Sequence, residues 1–371
     1  MMCIFAAHFG MMLEYEAYMH RCLELARLGA GYTAPNPMVG CVIVHEGRII
    51  GEGWHRQCGE PHAEMNAIRS VQQKQLLPHS TLFVNLEPCA HVGKTPPCAD
   101  QIIAKRIPQV VVGTVDPNPL VAGKGVELLR NAGCRVTTGV LEEECNRLNV
   151  RFMTVHKQHR PYVLLKWAQT ADGFIDLIRN NTLSARPTWI TGEYERTLVH
   201  KWRSEESAIM VGANTALMDN PMLNIRQWTG KQPLRIVIDR TQRLPASLHL
   251  FDGSQPTLVF TEKVVNALPA VDYAVVPFDN RLPIHVLNEL YRRNIASVLI
   301  EGGAQLLQSF INAGLWNEAR IFTGKMRFGN GIPAPEINGK FCEKYKMHDS
   351  ELQIFENKLP LHRKINKHDT Y

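Results

Sequence analysis

Pro61-His62-Ala63-Glu64, Glu87-Pro88-Cys89 and Pro96-Pro97-Cys98 are the stretches whose surroundings decide how the first half of this chain folds. Thr81–Leu86 (TLFVNL) reads as an apolar strand running into Glu87-Pro88-Cys89, and Cys98–Lys105 reads as a helix. His62–Ser70 reads as a helix following a hairpin: strand Val39–Val44, the turn His45-Glu46-Gly47, and a return strand Arg48–Trp54. Upstream, Tyr15, Tyr18, Met19, Cys22, Leu25 and Ala26 recur at helical spacing over 13–28, and Gly29 and Gly31 stop that helix. Downstream come a strand Gln109–Val115, a helix Lys124–Ala132 and a strand Arg135–Thr138. Strands alternating with helices predict an α/β unit with a mainly parallel sheet covered on both faces.

The same stretches carry chemistry. One imidazole (His62) and two thiols (Cys89, Cys98) suit zinc and leave a fourth position for water, whose pKa the metal lowers from about 15.7 towards ~7. Glu64, two residues from His62, is close enough to take that water's proton without ligating the metal. Cys89 and Cys98 sit where strands give way to helices, and helix N-termini favour thiolates. The pattern is the H-x-E … P-C signature of zinc deaminases, with one departure. Eight residues separate Cys89 from Cys98, where the signature has two. A structural zinc knuckle is the competing reading. It would need a fourth protein ligand, for which His91 is available, and would leave Glu64 without a role.

Around Asn149–Arg160 the pattern becomes basic and irregular up to Pro161, which marks a domain boundary. The expected organisation is an N-terminal extension 1–12, a first domain 13–155 and a second 156–371. The second half restarts with strand Tyr162–Ala168. Further strands are expected at Ala208–Val211, Leu234–Asp239, Thr257–Thr261, Tyr273–Pro277 and Ser297–Ile300, with helices at Glu193–Trp202, His285–Arg292 and Ala304–Ala313. This is a second α/β unit. No G-x-G-x-x-G follows a strand, but Val211-Gly212-Ala213-Asn214-Thr215 and Glu301-Gly302-Gly303-Ala304 do, and such turns let a phosphate approach backbone N–H groups. Asn338–Tyr371 carries no readable motif.

Composition narrows the function classes. Of 371 residues, 45% are hydrophobic and 20% charged, which fits a globular chain of two domains. No run approaches the ~18–20 apolar residues of a membrane helix, and the apolar start lacks the basic region of a signal peptide. The net charge of +6 favours anionic ligands without the basic stripe of a nucleic-acid binder. Nine cysteines, an odd number, point to a reducing, cytoplasmic setting rather than a disulfide framework.

With these residues quoted, the chain resembles the bifunctional riboflavin-biosynthesis family, a pyrimidine deaminase fused to a reductase, over roughly 13–330. Pro35-Asn36-Pro37-Met38-Val39-Gly40, Gly59–Glu64, Leu86–Cys98 with its long cysteine spacing, and Asp116-Pro117-Asn118-Pro119 match the first half. Lys166-Trp167-Ala168, Asp172-Gly173, Trp189-Ile190-Thr191, Gly212–Thr215, Asp219-Asn220-Pro221 and Glu301-Gly302-Gly303 match the second. The resemblance implies a cytidine-deaminase-like three-layer domain followed by a dihydrofolate-reductase-like α/β domain. It implies zinc and NADPH as cofactors, and a pyrimidine ribosyl phosphate that is first deaminated and then reduced at its ribosyl group. It implies no nucleic-acid or membrane partner, and a homodimer.

By position, Asn36, His91 and Lys94 would face the deaminase substrate. Gln169, Trp189, Thr215, Asp219 and Gly303 would contact NADPH, and Arg203, Leu223, Arg226 and Glu301 the reductase substrate. Two positions depart from the family pattern. Pro187 stands where a substrate-binding serine is expected, and Arg240 where a smaller polar residue often sits. Arg240 could pair with the 2′-phosphate that distinguishes NADPH from NADH. The competing function class is a nucleic-acid or nucleoside zinc deaminase with a non-reductase binding domain; in its nucleic-acid form it would show binding to RNA that weakens steeply with salt.

Overall fold

The computed structural model describes residues 2–90, 96–118, 122–179, 188–264 and 266–358, and only the backbone of 2–11. Of the positions singled out above, His91, Lys94 and Pro187 lie outside the described residues. The chain divides into two compact units, Met1–Lys157 and Gln158–Tyr371.

The first unit is built on a five-stranded sheet: β1 (Gly40–His45), β2 (Arg48–Trp54), β3 (Thr81–Leu86), β4 (Gln109–Thr114) and β5 (Arg135–Thr138), in the order β2-β1-β3-β4-β5. β1 is antiparallel to both β2 and β3, whereas β3, β4 and β5 run parallel. Side-chain alternation along each strand sorts the core into two layers. Cys41, Ile43, Leu82, Val84, Val110 and Val112 pack with Ala63, Ala67, Ala99 and Ile102, from α2 (Ala63–Ser70) and α3 (Cys98–Ala104). Val42, Phe83 and Val111 pack on the other face with Met19, Cys22, Leu23 and Cys145, from α1 (Met2–Arg27) and α5 (Glu142–Leu148). The unit is therefore three-layered. Two segments differ from the sequence reading. α1 begins at Met2, so the expected extension is helical and continuous with 13–27. The stretch read as irregular is also helical. α5 opens with Glu142, Glu143 and Glu144, whose charges suit its N-terminus, and α6 (Val150–Gln158) follows.

The second unit holds a nine-stranded sheet. Its strands are β6 (Tyr162–Gln169), β8 (Ala208–Gly212), β9 (Leu234–Ile238), β10 (Thr257–Thr261), β11 (Val271–Val275), β12 (Ser297–Gly302), β13 (Glu318–Gly324), β15 (Gly339–Lys346) and β16 (Ser350–Asn357). Their order is β11-β10-β9-β8-β12-β6-β13-β16-β15. Every pair from β11 to β13 is parallel, and the last two pairings are antiparallel. α7 (Glu193–Glu205), α8 (Ala213–Asp219), α9 (Leu282–Arg292) and α10 (Ala304–Ala313) join the strands; short strands β7 (Phe174–Asp176) and β14 (Ile332–Pro333) pair apart from the main sheet.

Two readings need correction here. β11 begins at Val271, two residues before the expected Tyr273, because Val271 and Tyr273 pack inward while Val275 is exposed. The unreadable tail contains β15 and β16, which extend the sheet as a hairpin. β15 is mostly exposed and β16 mostly half-buried, and charged residues interrupt both, so neither carries an apolar run to read.

Among the described residues, no helix is long and apolar enough to cross a membrane.

Candidate active sites

In the first unit, the sulfur and nitrogen sites depend on close packing of α2 against β2. A Cβ at Gly53 would lie 2.3 Å from the Ala67 nitrogen and 2.6 Å from the Ala63 carbonyl oxygen, so only glycine admits the helix at this depth. That packing sets His62 at the N-cap of α2 and Glu64 in its first turn, buried at 3% exposure. The Cys89 loop is anchored by the buried carboxylate of Glu87. It accepts the backbone N–H groups of Asp116 and Gly123 on Oε2 (3.1 and 2.9 Å) and of Gly125 and Val126 on Oε1 (2.8 and 3.1 Å). One carboxylate thereby satisfies the start of α4 (Lys124–Asn131) and fixes the residue two before Cys89.

His62, Cys89 and Cys98 converge, their ligand atoms all within 4.8 Å of one another. His62 Nδ1 lies 3.6 Å from Cys89 Sγ and 3.3 Å from Cys98 Sγ, and the Cys98 backbone N–H donates to Cys89 Sγ at 3.3 Å. Tetrahedral zinc with bonds of about 2.3 Å to sulfur and about 2.0–2.1 Å to nitrogen separates S and N by about 3.5 Å, so the donor set fits that ion. Hydrogen bonding from Cys98, then from His62, holds the Cys89 thiol down at about 4. Cys98, as donor to Cys89 and buried, is pushed up. The hydrogen bond with Cys89 raises His62. Burial lifts the Glu64 carboxyl to about 7 against the opposing charge of His62.

Asn36 lies in the same neighbourhood: its Nδ2 is 3.2 Å from His55 Nε2, and the His55 ring meets the His62 ring edge-on at 5.4 Å. The Met38 backbone is clamped by Asn149, through N–H to Oδ1 at 2.8 Å and Nδ2 to C=O at 2.9 Å. His55 was missed by the sequence reading. Its only signal was a histidine closing the hairpin seven residues before His62.

In the second unit, the ends of β8 and β12 bring Thr215 against Gly302 and Gly303. A Cβ on Gly303 would meet Thr215 Oγ1 at 3.0 Å, and nothing else of the protein within 4 Å. This is a cradle that only a glycine leaves open, and it fits a phosphate-bearing cofactor such as NADPH. Gln169, at the end of β6, accepts the Trp167 indole N–H at 2.9 Å. Trp189 is half exposed, with the Arg196 guanidinium 4.7 Å above its ring. Asp219 lies 3.6 Å from Arg179, which also donates to Asp176 (2.7 Å) and Thr188 (2.8 Å). Burial, then the Asp176 charge, lifts the Asp219 carboxyl to about 6. Arg240 is exposed and forks onto Glu262 at 3.0 and 3.1 Å.

Arg203, Arg226 and Glu301 form one cluster. Arg203 binds Glu301 bidentately at 2.7 and 2.6 Å and the Asn224 carbonyl at 3.0 Å, and Arg226 donates to Asn224 Oδ1 at 3.2 Å. Burial works against the Glu301 charge, but Arg203, then Lys166 and His200, hold its carboxyl down at about 2. Lys166 is lowered by burial despite Glu301. Burial, then Arg203 and Arg226, depresses His200 to about 4. Leu223 takes a left-handed φ of 46°, turns its side chain into the core and accepts the Gln255 amide on its carbonyl at 3.0 Å. Lys166 and His200 were not assigned roles from sequence. A lysine inside the apolar strand YVLLKWAQ and a histidine three residues before Arg203 on one helix face were the available signals.

Two family models match this chain: the cytidine and deoxycytidylate deaminase zinc-binding region over residues 12–114, and the RibD C-terminal domain over 161–357. The chain is 40% identical over 331 residues to the riboflavin biosynthesis protein RibD of Aquifex aeolicus, covering 88% of this chain and 91% of that protein.

This chain belongs to the RibD family of riboflavin biosynthesis proteins.

Its fold agrees with a crystal structure of the deaminase/reductase from Thermotoga maritima, with a TM-score of 0.85, 38% identity, and 93% and 99% of the two chains covered. Acinetobacter baumannii RibD gives a TM-score of 0.85 at 32% identity, covering 94% and 100%. The RibD-family chain is thus a bifunctional enzyme of riboflavin biosynthesis, with a cytidine-deaminase-like first domain of the zinc-binding kind and a reductase domain of dihydrofolate-reductase-like fold. Zinc and NADPH are the cofactors implied at that level.

Proposed function

We propose that the first unit hydrolytically removes the 2-amino group of 2,5-diamino-6-ribosylamino-4(3H)-pyrimidinone 5′-phosphate, and that the second unit reduces the ribosyl group of the product to ribityl with NADPH. The observation that carries the first half is the convergence of His62, Cys89 and Cys98 beside a buried Glu64. These three residues would hold one zinc ion, which when bound supplies Lewis acidity that activates water near neutral pH. Glu64 takes one proton of the attacking water and passes it to the pyrimidine ring nitrogen, then carries the remaining hydroxyl proton to the amino group, which leaves as ammonia as the carbonyl forms. Its desolvated carboxyl, lifted to about 7, suits a group that must both accept and release a proton near neutrality. Asn36, oriented by His55, offers its amide to the polar edge of the pyrimidine. His91 and Lys94 complete the substrate set, Lys94 towards the phosphate.

In the second unit, NADPH would lie along Gln169, Trp189, Thr215, Asp219 and Gly303, where it supplies the hydride. Arg240 would reach the 2′-phosphate by exchanging Glu262 for it. Arg203 and Arg226 suit the phosphate of the sugar, because guanidinium groups bind phosphate through paired N–H donors. Glu301, kept ionised by Arg203 and Lys166, accepts hydrogen bonds from ribose hydroxyls, and the Leu223 backbone borders the same space.

The test gives zinc-quantified protein the diamino substrate with and without NADPH, following ammonia release and NADPH oxidation separately. Ammonia release without NADPH, and oxidation only after deamination, is the expected result. No ammonia despite about one zinc per chain would overturn the substrate assignment.

A further inference from the structure

The second unit gathers positive charge around one carboxylate. Arg203 and His200 come from α7, Arg226 from the loop after α8, and Lys166 from β6; Glu301 on β12 is the one acid that faces them. With His200 neutral, Lys166, Arg203 and Arg226 oppose one anion, and Arg196, stacked on Trp189, adds its charge beside Arg226, an excess of at least two positive charges. This balance matches a phosphate monoester dianion.

His200 is the anomaly in this cluster. It is 3% exposed, it faces the charges of Arg203, Arg226 and Glu301, and its Nδ1 has no hydrogen-bond partner among the described residues. Asn224 receives Arg203 on its carbonyl and Arg226 on its side-chain oxygen. One residue therefore ties both arginines to a single point. A buried ring nitrogen left unsatisfied costs free energy unless a ligand completes it.

We infer that His200 is a third donor of this anion site, neutral in the free protein and protonated at Nδ1 when a phosphate monoester binds beside Arg203 and Arg226. The inference rests on the proposed role of those two arginines in holding the substrate phosphate. In the free protein, Arg203 and Arg226 repel a third cation in a desolvated place. A bound dianion reverses the local field, so the imidazolium becomes the favoured form and Nδ1–H gains an acceptor. Substrate binding by the reductase unit then takes up a proton, and its affinity weakens as pH rises.

Sulfate separates this from titration of the ligand, since it stays a dianion from pH 5 to 8. The full, zinc-loaded chain is titrated with sulfate and with ribose 5-phosphate by calorimetry in buffers of different ionisation heat, which counts protons. Wild-type protein is expected to take up close to one proton per sulfate bound near neutrality, with Kd rising by up to about tenfold per pH unit. His200→Gln should still bind, take up none, and change less than twofold per pH unit. Histidine ring 15N shifts of the wild-type protein give the same answer without a substitution: His200 should pass from neutral to doubly protonated on adding sulfate.

Sulfate binding without proton uptake, or uptake that survives in His200→Gln, overturns the role of His200. Sulfate binding that is as tight in Arg226→Gln as in wild type, or no binding of either anion, overturns the underlying phosphate site.

Discussion

His62, Cys89 and Cys98 come from two neighbouring strand–helix junctions, and the chemistry of the first unit lies in what those residues are. The cluster of the second unit is drawn from α7, a loop, β6 and β12, and its chemistry lies in where ordinary residues are placed. An imidazole and two thiols announce a metal wherever they meet. Two arginines, a lysine, a histidine and a glutamate announce nothing until burial strips away their water and leaves unequal charges facing one another. Arg203 and His200 come from the last turns of α7 and Lys166 from within β6, but His62, Cys98 and Glu301 lie beside the start of a helix. There the backbone turns sharply and side chains from different strands can meet.

The comparison breaks most visibly if Glu64 proves dispensable. Glu64→Gln should lower ammonia release by about 10²–10⁴-fold with zinc content unchanged, while reduction of the already deaminated compound continues at the wild-type rate. Retained deamination would mean that the first unit also works by placement alone. Next in size is Arg203→Ala. It leaves the Glu301 carboxylate buried without its main partner, and removing one member of a buried pair costs about 3–5 kcal/mol. Denaturant unfolding should show that loss. Five of the six tryptophans lie in the second unit, so indole fluorescence follows it.

A smaller effect sharpens the contrast from the other side. Glu87→Gln replaces a carboxylate that accepts four backbone N–H groups by an amide with one acceptor oxygen. About 2 kcal/mol or more of stability should go, together with zinc affinity, because the Cys89 loop loses its anchor. Acid should act chiefly on the second unit. His200 is held neutral down to about 4, below its ordinary 6.5, so the unfolded chain gains its proton first and stability falls as pH drops between those values. Glu301 is held ionised down to about 2, so its contribution is full above 4.5 and is lost as pH falls from 4.5 towards 2. A fluorescence-monitored acid titration should begin near pH 6.5, and His200→Gln should delay it. The smallest effect belongs to Arg240→Ala. Its exposed pairing with Glu262 predicts no measurable change in stability, but the preference for NADPH over NADH should fall. An unchanged preference would leave Arg240 as a surface residue.

The buried strands were legible because apolar side chains must fill both faces of a covered sheet: β3 and β10 lie where TLFVNL and TLVFT predict them. β13, β15 and β16 were not, since charged and polar residues interrupt the apolar run in EARIFTG, GKFCEKYK and SELQIFEN. The convergent trio His62, Cys89 and Cys98 was legible from residue type and from the proline-flanked cysteines. His55, Lys166 and His200 were not, because a single histidine or lysine acquires meaning only from its neighbours in space. Glu87 was quoted in its motif without a role, as its four partners lie some thirty to forty residues downstream.

β16 has a consequence for synthesis. It covers β13 through seven residue pairs, from Glu318↔Glu356 to Gly324↔Ser350, and β13 in turn lies against the central β6. The first unit has all its strands once residue 138 has emerged from the ribosome, whereas β13 stays an open edge until 350–357 are made. A nonsense codon before that stretch would leave a finished deaminase tethered to a sheet with an unpaired, adhesive border, the kind that recruits other chains.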